Sequence, residues 1–267
     1  MRWTVVIAYF NEQAYLADTL ASLAAQTLRP FRLVLVDNGS TDASPTIART
    51  FASDGIELVQ LSEPRPGKIV ALERAMAAIT TDFVAFGDAD TFYPPHYLAT
   101  AEAALAAPRV VAAMATDVPL DPEKALRKRR HNQLVSRLWP QQTHTGGFGQ
   151  TFRTAALLAA GGYAERHWPY VLMDHEIMQR VVQQGRVVYP YDLWCVPSDR
   201  RGDRRRVRWT LAERLLYHLT PAAAKDWYFY RFLGPRLARR KLGHLNLREK
   251  TWEDQTQSPP ARGGGSA

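Results

Sequence analysis

The stretch FVAFGDAD, residues 83–90, decides the fold expected for this chain of 267 residues. Four apolar residues are followed by a glycine and then by two aspartates that a single alanine separates. Such an apolar run is typical of a strand in a parallel sheet that is covered on both faces. Ligands of such sheets bind beyond the carboxyl ends of the strands, so we expect a site at Asp88 and Asp90.

Three more apolar runs precede this stretch, and helical patterns separate them. Strands are predicted at residues 3–8, 32–36, 57–61 and 83–86. Helices with apolar residues spaced i, i+3, i+4 are predicted at residues 12–26, 42–52 and 67–79. Strand and helix alternation of this period predicts an α/β fold with a mainly parallel central sheet flanked by helices.

The second half of the chain is less regular. Helical patterns cover residues 121–138, 154–160, 174–184, 209–219 and 221–242. A short strand is predicted at residues 187–189. The chain ends in SPPARGGGSA, which is rich in Pro, Gly and Ser, and we expect residues 251–267 to be disordered.

Positive charge is concentrated in one part of the chain. Residues 199–250 contain 15 Lys and Arg and 5 Asp and Glu, whereas the whole chain contains 34 and 26. All of the excess positive charge therefore lies in this segment. An anionic partner is expected there: a pyrophosphate, an acidic membrane surface, an anionic acceptor or nucleic acid.

Cysteine content and hydropathy predict the compartment. Cys195 is the single cysteine, so no intrachain disulfide can form, which suits a reducing cytosol. The longest apolar run, residues 101–116, is interrupted by Glu102 and Arg109, so no transmembrane helix is predicted. The N-terminal residues contain no long apolar core of a signal peptide. We therefore expect a cytoplasmic protein.

Carboxylates follow three of the predicted strands, as Glu12, Asp37, and the pair Asp88 and Asp90. Two carboxylates two residues apart in an extended segment point the same way and repel unless a cation joins them. Mg²⁺ and Mn²⁺ prefer oxygen ligands and often take substrate phosphates as well. Taken singly, an Asp-x-Asp pair in a turn is usually just solvated, and so is a lysine such as Lys68.

Four motifs in order resemble the nucleotide-binding half of family 2 glycosyltransferases, which have the GT-A fold: IAYFNE, VDNGSTD, PGK and FGDAD. The resemblance runs from residue 5 to residue 201. It implies that Asp90 binds a Mg²⁺ or Mn²⁺ ion joined to the diphosphate of a nucleotide sugar. The nucleotide-side residues that it implies are Ala8, Tyr9, Glu12, Asp37, Lys68, Asp88 and Ala89. Glu73 stands where the family usually has Asn or Arg.

The resemblance continues on the acceptor side. Residues 146–153, GGFGQTFR, are similar to the family's acceptor-side segment. Asp174 matches the general base that deprotonates the acceptor hydroxyl, although Met173 replaces the family's preceding glutamate. A plain helix cap is the alternative role for Asp174, and Glu176 competes for the role of base. The acceptor-side residues implied are Gly146, Gly147, Phe148 and Glu176.

An arginine-rich stretch, SDRRGDRRRVRW at residues 198–209, is similar to the Gln-x-x-Arg-Trp element of processive synthases in the same family. Arg205 stands in place of the glutamine. The resemblance implies that Arg205, Arg208 and Trp209 lie beside the diphosphate and that Asp199 is a third metal ligand. A solvated basic loop is the alternative.

We expect a catalytic domain at residues 1–200, with a nucleotide-binding half at 1–95 and an acceptor half at 96–200. Residues 201–250 are expected to form a helical extension rich in basic and aromatic residues. Such a helix suits a membrane interface, which favours an enzyme on the inner face of the membrane with a lipid or lipid-linked acceptor. A helical lid that packs on the catalytic domain is the alternative.

Taken together, the resemblance implies an inverting glycosyltransferase that moves a sugar from a nucleoside-diphosphate sugar, UDP being favoured, to a hydroxyl. A sugar nucleotidyltransferase would have a Gly- and Arg-rich phosphate loop after the first strand, which AYFNE lacks. An inactive relative that binds carbohydrate or nucleic acid would leave the aspartates unexplained, and we expect no nucleic-acid partner.

Overall fold

A computed structural model describes residues 1–140, 142, 146–198 and 209–247. Within these residues the strands are β1 Trp3–Tyr9, β2 Phe31–Asp37, β3 Ile56–Ser62, β4 Phe83–Asp88, β5 Thr91–Phe92, β6 Val110–Met114, β7 Thr116–Asp117, β8 Gly149–Arg153, β9 Arg186–Val188 and β10 Trp194–Pro197. The α-helices are α1 Leu16–Ala24, α2 Ser44–Thr50, α3 Lys68–Met76, α4 Tyr97–Ala106, α5 Pro122–Leu138, α6 Thr154–Ala159, α7 Met173–Val182, α8 Leu211–Leu219 and α9 Gly234–Arg239.

The main sheet has seven strands in the order β3-β2-β1-β4-β8-β6-β9. Strands β1 to β4 pair in parallel, and β8 is antiparallel to both of its neighbours. A small second sheet has the order β5-β10-β7. The prediction of an α/β fold with a mainly parallel central sheet is therefore confirmed.

Burial explains why the apolar runs form the centre of the sheet. Strands β1, β2 and β4 are buried along nearly all of their length, whereas β3, at the edge, is half-exposed. One hydrophobic core lies on each face of the sheet. The helices that follow β1 and β3 therefore cover opposite faces, and strands β1 to β4 all end at the same carboxyl edge.

The predicted helix at residues 221–242 is wrong as a continuous α-helix. A 3-10 turn, Ala222–Ala224, precedes a π-helical segment, Trp227–Leu233, which runs into α9. Tyr228 and Phe229 are fully buried in the same core as β1 and β4, and Phe229 packs edge-on against Trp168. These aromatic side chains therefore pack on the core of the main sheet.

Ion pairs and a β-bridge also attach the extension. Glu213 accepts hydrogen bonds from the side chains of Arg236 and Arg240, so α8 and α9 are joined through a carboxylate that is 2% exposed. Further on, Gly243 forms an isolated β-bridge with Tyr170. The expected disorder of residues 251–267 falls outside the described residues. No helix in the described part of the chain is long and apolar enough to cross a membrane.

Replacing Phe229 tests whether the extension is part of the core. We expect Phe229→Ala to lower the free energy of unfolding by ~3–5 kcal/mol, since it leaves a cavity among buried rings. Trp227→Ala, in the same π-helical segment, is the matched control because Trp227 is 51% exposed. Urea unfolding of both variants measures the difference, and equal losses would contradict this packing.

Candidate active site

The carboxyl ends of three parallel strands meet at one edge of the sheet. In the register of β1, Tyr9 is opposite Asp37 of β2, and Ala8 is opposite Asp88 of β4. The pKa of Tyr9 is raised to about 12, first by burial and then by the charge of Asp37. The sequence-predicted nucleotide-side residues of these strands are therefore brought together.

Glu12 and Ala89 support this edge through their backbones. The Glu12 N–H donates to Ser44 Oγ at 2.7 Å, and the Glu12 carbonyl accepts from the first turn of α1. The Ala89 carbonyl accepts a 2.9 Å hydrogen bond from Thr19 Oγ1 of the same helix. Helix α1 thus holds both loops at the carboxyl edge.

Asn38 positions the loop that precedes α3. Its side-chain amide donates to the carbonyls of Glu63 and Arg65 at 2.9 and 2.7 Å, and its Oδ1 accepts from the Gly67 N–H at 2.8 Å. The adjacent Asp37 accepts from the Ser40 N–H at 3.0 Å. Sequence analysis did not give Asn38 a role, although its place directly after a buried strand in VDNGSTD was a signal.

Lys68 begins α3 and its Nζ contacts Asp88 Oδ1. The preceding Gly67 has φ +124°, and a Cβ there would lie 2.2 Å from Nδ1 of His244. Only glycine suits that backbone conformation and that space. The C-terminal extension therefore contacts the loop that aims Lys68 at the carboxyl edge.

Tyr93 joins the two halves of the site. Its hydroxyl accepts from the Asp88 N–H at 3.0 Å and donates to the Phe148 carbonyl at 2.8 Å. The ring is buried beneath Gly87, where a Cβ would lie 2.2 Å from the hydroxyl. Tyr93 was not predicted from the sequence, because no local pattern indicates that its hydroxyl bonds to Phe148, 55 residues away.

Asp90 is held by the end of β10. Its carboxylate accepts from Ser198 Oγ at 2.7 Å, and its carbonyl accepts from the Ser198 N–H at 2.9 Å. No group of three or more His, Cys, Asp or Glu side chains suited to a metal occurs within the described residues. The predicted third ligand, Asp199, lies outside the described residues, and so do Arg205 and Arg208.

Asp174 lies in the first turn of α7, directly against the glycine segment before β8. A Cβ on Gly147 would come within 3.1 Å of the Asp174 Cβ, and one on Gly146 within 3.4 Å of its Oδ2. Gln150, which is fully buried, donates to the Asp174 carbonyl at 2.9 Å. Leu172 occupies the N-cap position, and the Asp174 carboxylate accepts from the His175 N–H in the first turn at 3.1 Å.

Neighbouring positive charge keeps Asp174 ionised. Burial raises the pKa of Asp174, but the charge and hydrogen bond of His175, with the charge of Lys68, outweigh burial and lower the pKa below its ordinary value. His175 Nδ1 lies 3.1 Å from Asp174 Oδ1. Lys68 thus acts on a carboxylate of each half of the site.

His175 is fixed by an aromatic cluster. Its ring packs edge-on against those of Trp209 and Tyr217, with ring centroids 4.9 and 5.8 Å away. The buried ammonium of Lys225 lies over the ring of Tyr217, 3.4 Å from the ring centroid. Burial lowers the pKa of Lys225 to about 7. Trp209, which was expected beside the diphosphate, therefore packs on the neighbour of Asp174.

Glu176 points away from the glycine segment. Its carboxylate is bound by Arg180 through two hydrogen bonds of 2.7 and 2.9 Å and also accepts from the hydroxyl of Tyr230. The side chain is 2% exposed. A carboxylate used in this way links α7 to the C-terminal extension.

A parallel sheet that gathers aspartates and a lysine at its carboxyl edge, with a further carboxylate across from them, agrees with the GT-A fold of glycosyltransferases. The family model of Glycosyl transferase family 2 matches residues 4–161. The chain belongs to this family.

Curated relatives match about a third of the chain. Putative glycosyltransferase EpsH of Bacillus subtilis is 29% identical over 94 residues, which are 35% of this chain and 27% of EpsH. The matched segment therefore spans little more than a quarter of that relative's length. Family membership favours glycosyl transfer over nucleotidyl transfer.

Solved structures resemble the whole described fold. Mannosyltransferase PcManGT from Pyrobaculum calidifontis, in complex with GDP-Man and Mn²⁺, has a TM-score of 0.63 at 24% identity over 90% of this chain and 73% of its own. S. aureus TarS in complex with UDP-GlcNAc has a TM-score of 0.59 at 20% identity, and the match covers 95% of this chain and 77% of the TarS chain. Both resemblances support the GT-A fold.

Adding one methyl group tests the contact between the glycine segment and Asp174. We expect Gly147→Ala to lower the turnover of nucleotide sugar ~10- to 100-fold, because the new Cβ displaces the carboxylate. Gly243→Ala is the matched control, since a Cβ there meets nothing closer than 3.7 Å. The rate of nucleoside-diphosphate release measures both, and equal rates would contradict the proposed alignment.

Proposed function

We propose that the protein is an inverting glycosyltransferase that transfers a sugar from a nucleoside-diphosphate sugar to an acceptor hydroxyl, with Asp174 as the general base. One observation carries the proposal: the carboxylate of Asp174 lies against a glycine segment, and the charge of Lys68, which contacts Asp88, acts to lower its pKa. A single displacement needs a base beside the acceptor hydroxyl and charged groups beside the nucleotide of the donor.

The donor side is assigned to the carboxyl edge of β1, β2 and β4. Asp37 and Tyr9 are proposed to hold the base, and Asp88 the ribose, while Lys68 offsets the negative charge of the diphosphate. Neighbouring structures bind GDP-Man and UDP-GlcNAc, so both nucleotides are candidates, and we favour UDP. The remaining nucleotide-side residues line the same edge: Ala8, Glu12 and Ala89.

The donor set fits a Mg²⁺ or Mn²⁺ ion that is held jointly with the substrate. Such an ion commonly takes one or two carboxylates together with substrate phosphates, and not a closed protein cage. Asp90 is oriented for this by Ser198, and Asp88 lies two residues before it. When bound, the ion supplies electrostatic stabilisation of the leaving diphosphate.

Proton transfer is the step that the described residues carry. Asp174 is ionised, so it accepts the proton of the acceptor hydroxyl while the oxygen attacks the anomeric carbon from the face opposite the leaving group. A single displacement of this kind inverts the anomeric configuration. His175 and Gln150 hold Asp174 in place through its carboxylate and its carbonyl. Glu176 is assigned to support, because Arg180 and Tyr230 occupy its carboxylate.

Two isosteric substitutions separate the base from its competitor. We expect Asp174→Asn to lower kcat for transfer by ~10²–10⁴ while the donor still binds, because a proton acceptor is lost. Glu176→Gln should instead lower the melting temperature, since Arg180 loses its buried partner, and transfer should stay within a few-fold at low temperature. Transfer that survives Asp174→Asn would sink the assignment.

We further propose that the protein contacts anionic membranes and that its acceptor is a lipid or a lipid-linked glycan. Three leucines, one turn apart on α8, support this: Leu211, Leu215 and Leu219 are 85%, 58% and 70% exposed. Two more, Leu134 and Leu138, are exposed on the basic helix α5. Exposed apolar stripes beside Lys and Arg suit an interface with anionic lipid.

Vesicle flotation tests the membrane contact. We expect the intact chain to float with vesicles that contain phosphatidylglycerol and to float less with phosphatidylcholine alone, since the basic helices need anionic lipid. Leu211→Ser combined with Leu215→Ser should weaken flotation. Leu158→Ser is the control, because Leu158 is an exposed leucine on α6. Absence of flotation with anionic vesicles would rule the contact out.

A further inference from the structure

A cavity of about 330 Å³ lies between β7, α5, α8 and the first turn of α7. The ring of His175 forms part of its wall, and the same ring lies 3.1 Å from the carboxylate of Asp174. The cavity therefore adjoins the carboxylate that we assign as the base. Neither the donor edge nor the proton transfer uses it.

Basic side chains dominate the cavity wall. Those that line it are Lys128, His131, His175, Arg214 and His218. The one carboxylate among the described lining residues is Asp117, and its Oδ2 already binds Lys128 Nζ at 2.5 Å. Arg214 has no ion pair within the described part of the chain. The cavity thus has a net positive charge before any histidine is protonated.

The neighbour of Arg214 does not cancel its charge. Glu213 turns its carboxylate to the other side of α8, where it accepts from the Thr210 N–H at 2.7 Å and from Arg240 at 2.9 Å. This carboxylate is buried at 2% exposure. The capping box of α8 therefore engages Glu213, and Arg214 lines the cavity without a carboxylate partner among the described residues.

The remaining wall is aromatic and rigid. The rings of Trp209 and Tyr217 both line the cavity and pack edge-on against each other, with centroids 4.9 Å apart. Asn132, which is buried, donates to Thr116 Oγ1 at 2.7 Å and fixes α5 against β7. Such a surface accepts a carbon skeleton while the basic groups bind its anionic substituent.

We infer that this cavity binds a phosphate group of the acceptor while the acceptor hydroxyl faces Asp174, an inference that rests on the proposed function. Donors from three elements converge: Arg214 from α8, His131 and Lys128 from α5, and His175 from α7. Convergence from several directions suits a tetrahedral anion with three acceptor oxygens, and guanidinium binds phosphate with paired hydrogen bonds.

Two sources can carry this phosphate. One is a soluble phosphate ester, and the other is the headgroup of an anionic lipid. Exposed leucines border the cavity. Leu211 lies three residues before the lining residue Arg214 and is therefore next to it on the surface of α8. In the same way, Leu138 lies next to the lining residue Val135 on α5. The experiment therefore needs an arm for each source.

The first arm is calorimetric titration of sn-glycerol 3-phosphate, and of glycerol, into the full chain saturated with its nucleotide sugar. Wild type is compared with Arg214→Gln and with the matched control Arg130→Gln, an exposed arginine of α5 that does not line the cavity. We expect glycerol 3-phosphate to bind at least about tenfold more tightly than glycerol, and Arg214→Gln to remove about tenfold or more of that affinity. His131→Gln serves as a second variant if Arg214→Gln does not fold.

The second arm measures capture by vesicles with and without phosphatidylglycerol. A lipid source predicts that Arg214→Gln weakens capture about tenfold more than Arg130→Gln does. The inference is overturned if both variants behave alike in both arms. Donor binding is measured beforehand by titrating the nucleotide sugar into the free protein: its absence contradicts the proposed function, whereas donor binding without a phosphate effect contradicts the cavity alone.

Discussion

The parallel pairing of β1 with both β2 and β4 is the constraint on which the site depends. Because the strands end together, the side chains of Asp37 and Asp88 are brought to one edge of the sheet. Like charges at that spacing repel, and Lys68 compensates for part of the negative charge through Asp88. The remaining acidity is what a cation bound to a diphosphate would satisfy.

Contacts outside the main sheet fix the positions of Asp88 and Asp174 relative to each other. The Tyr93 hydroxyl ties the Asp88 backbone to Phe148, and the adjoining glycines leave room for Asp174. The C-terminal extension takes part, since His244 packs over the glycine that precedes Lys68. A segment whose aromatics looked suited to a membrane thus forms core, while the exposed apolar stripe lies on α8.

Strands β1 to β4 and the helices between them were predictable, since their period is local and strong. The strands β5 to β7 and β10 were missed, because each is short and depends on partners far along the chain. Among site residues, motif order indicated Asp90 and Asp174. It did not indicate Ser198 or His175, whose roles arise only when β10 pairs with β5 and when α7 meets the aromatic cluster. The π-helical segment has no periodic signature in the sequence.

We propose that the carboxyl edge of the sheet binds a nucleoside-diphosphate sugar together with a divalent cation. Isothermal titration of UDP-GlcNAc, UDP-glucose and GDP-mannose into the protein, with Mn²⁺ and then with EDTA, tests it directly. We expect at least one of these donors to bind with Mn²⁺ and EDTA to weaken its binding about tenfold or more, a loss of about 1.4 kcal/mol. Failure of all three to bind, or binding that is unchanged by EDTA, would contradict it.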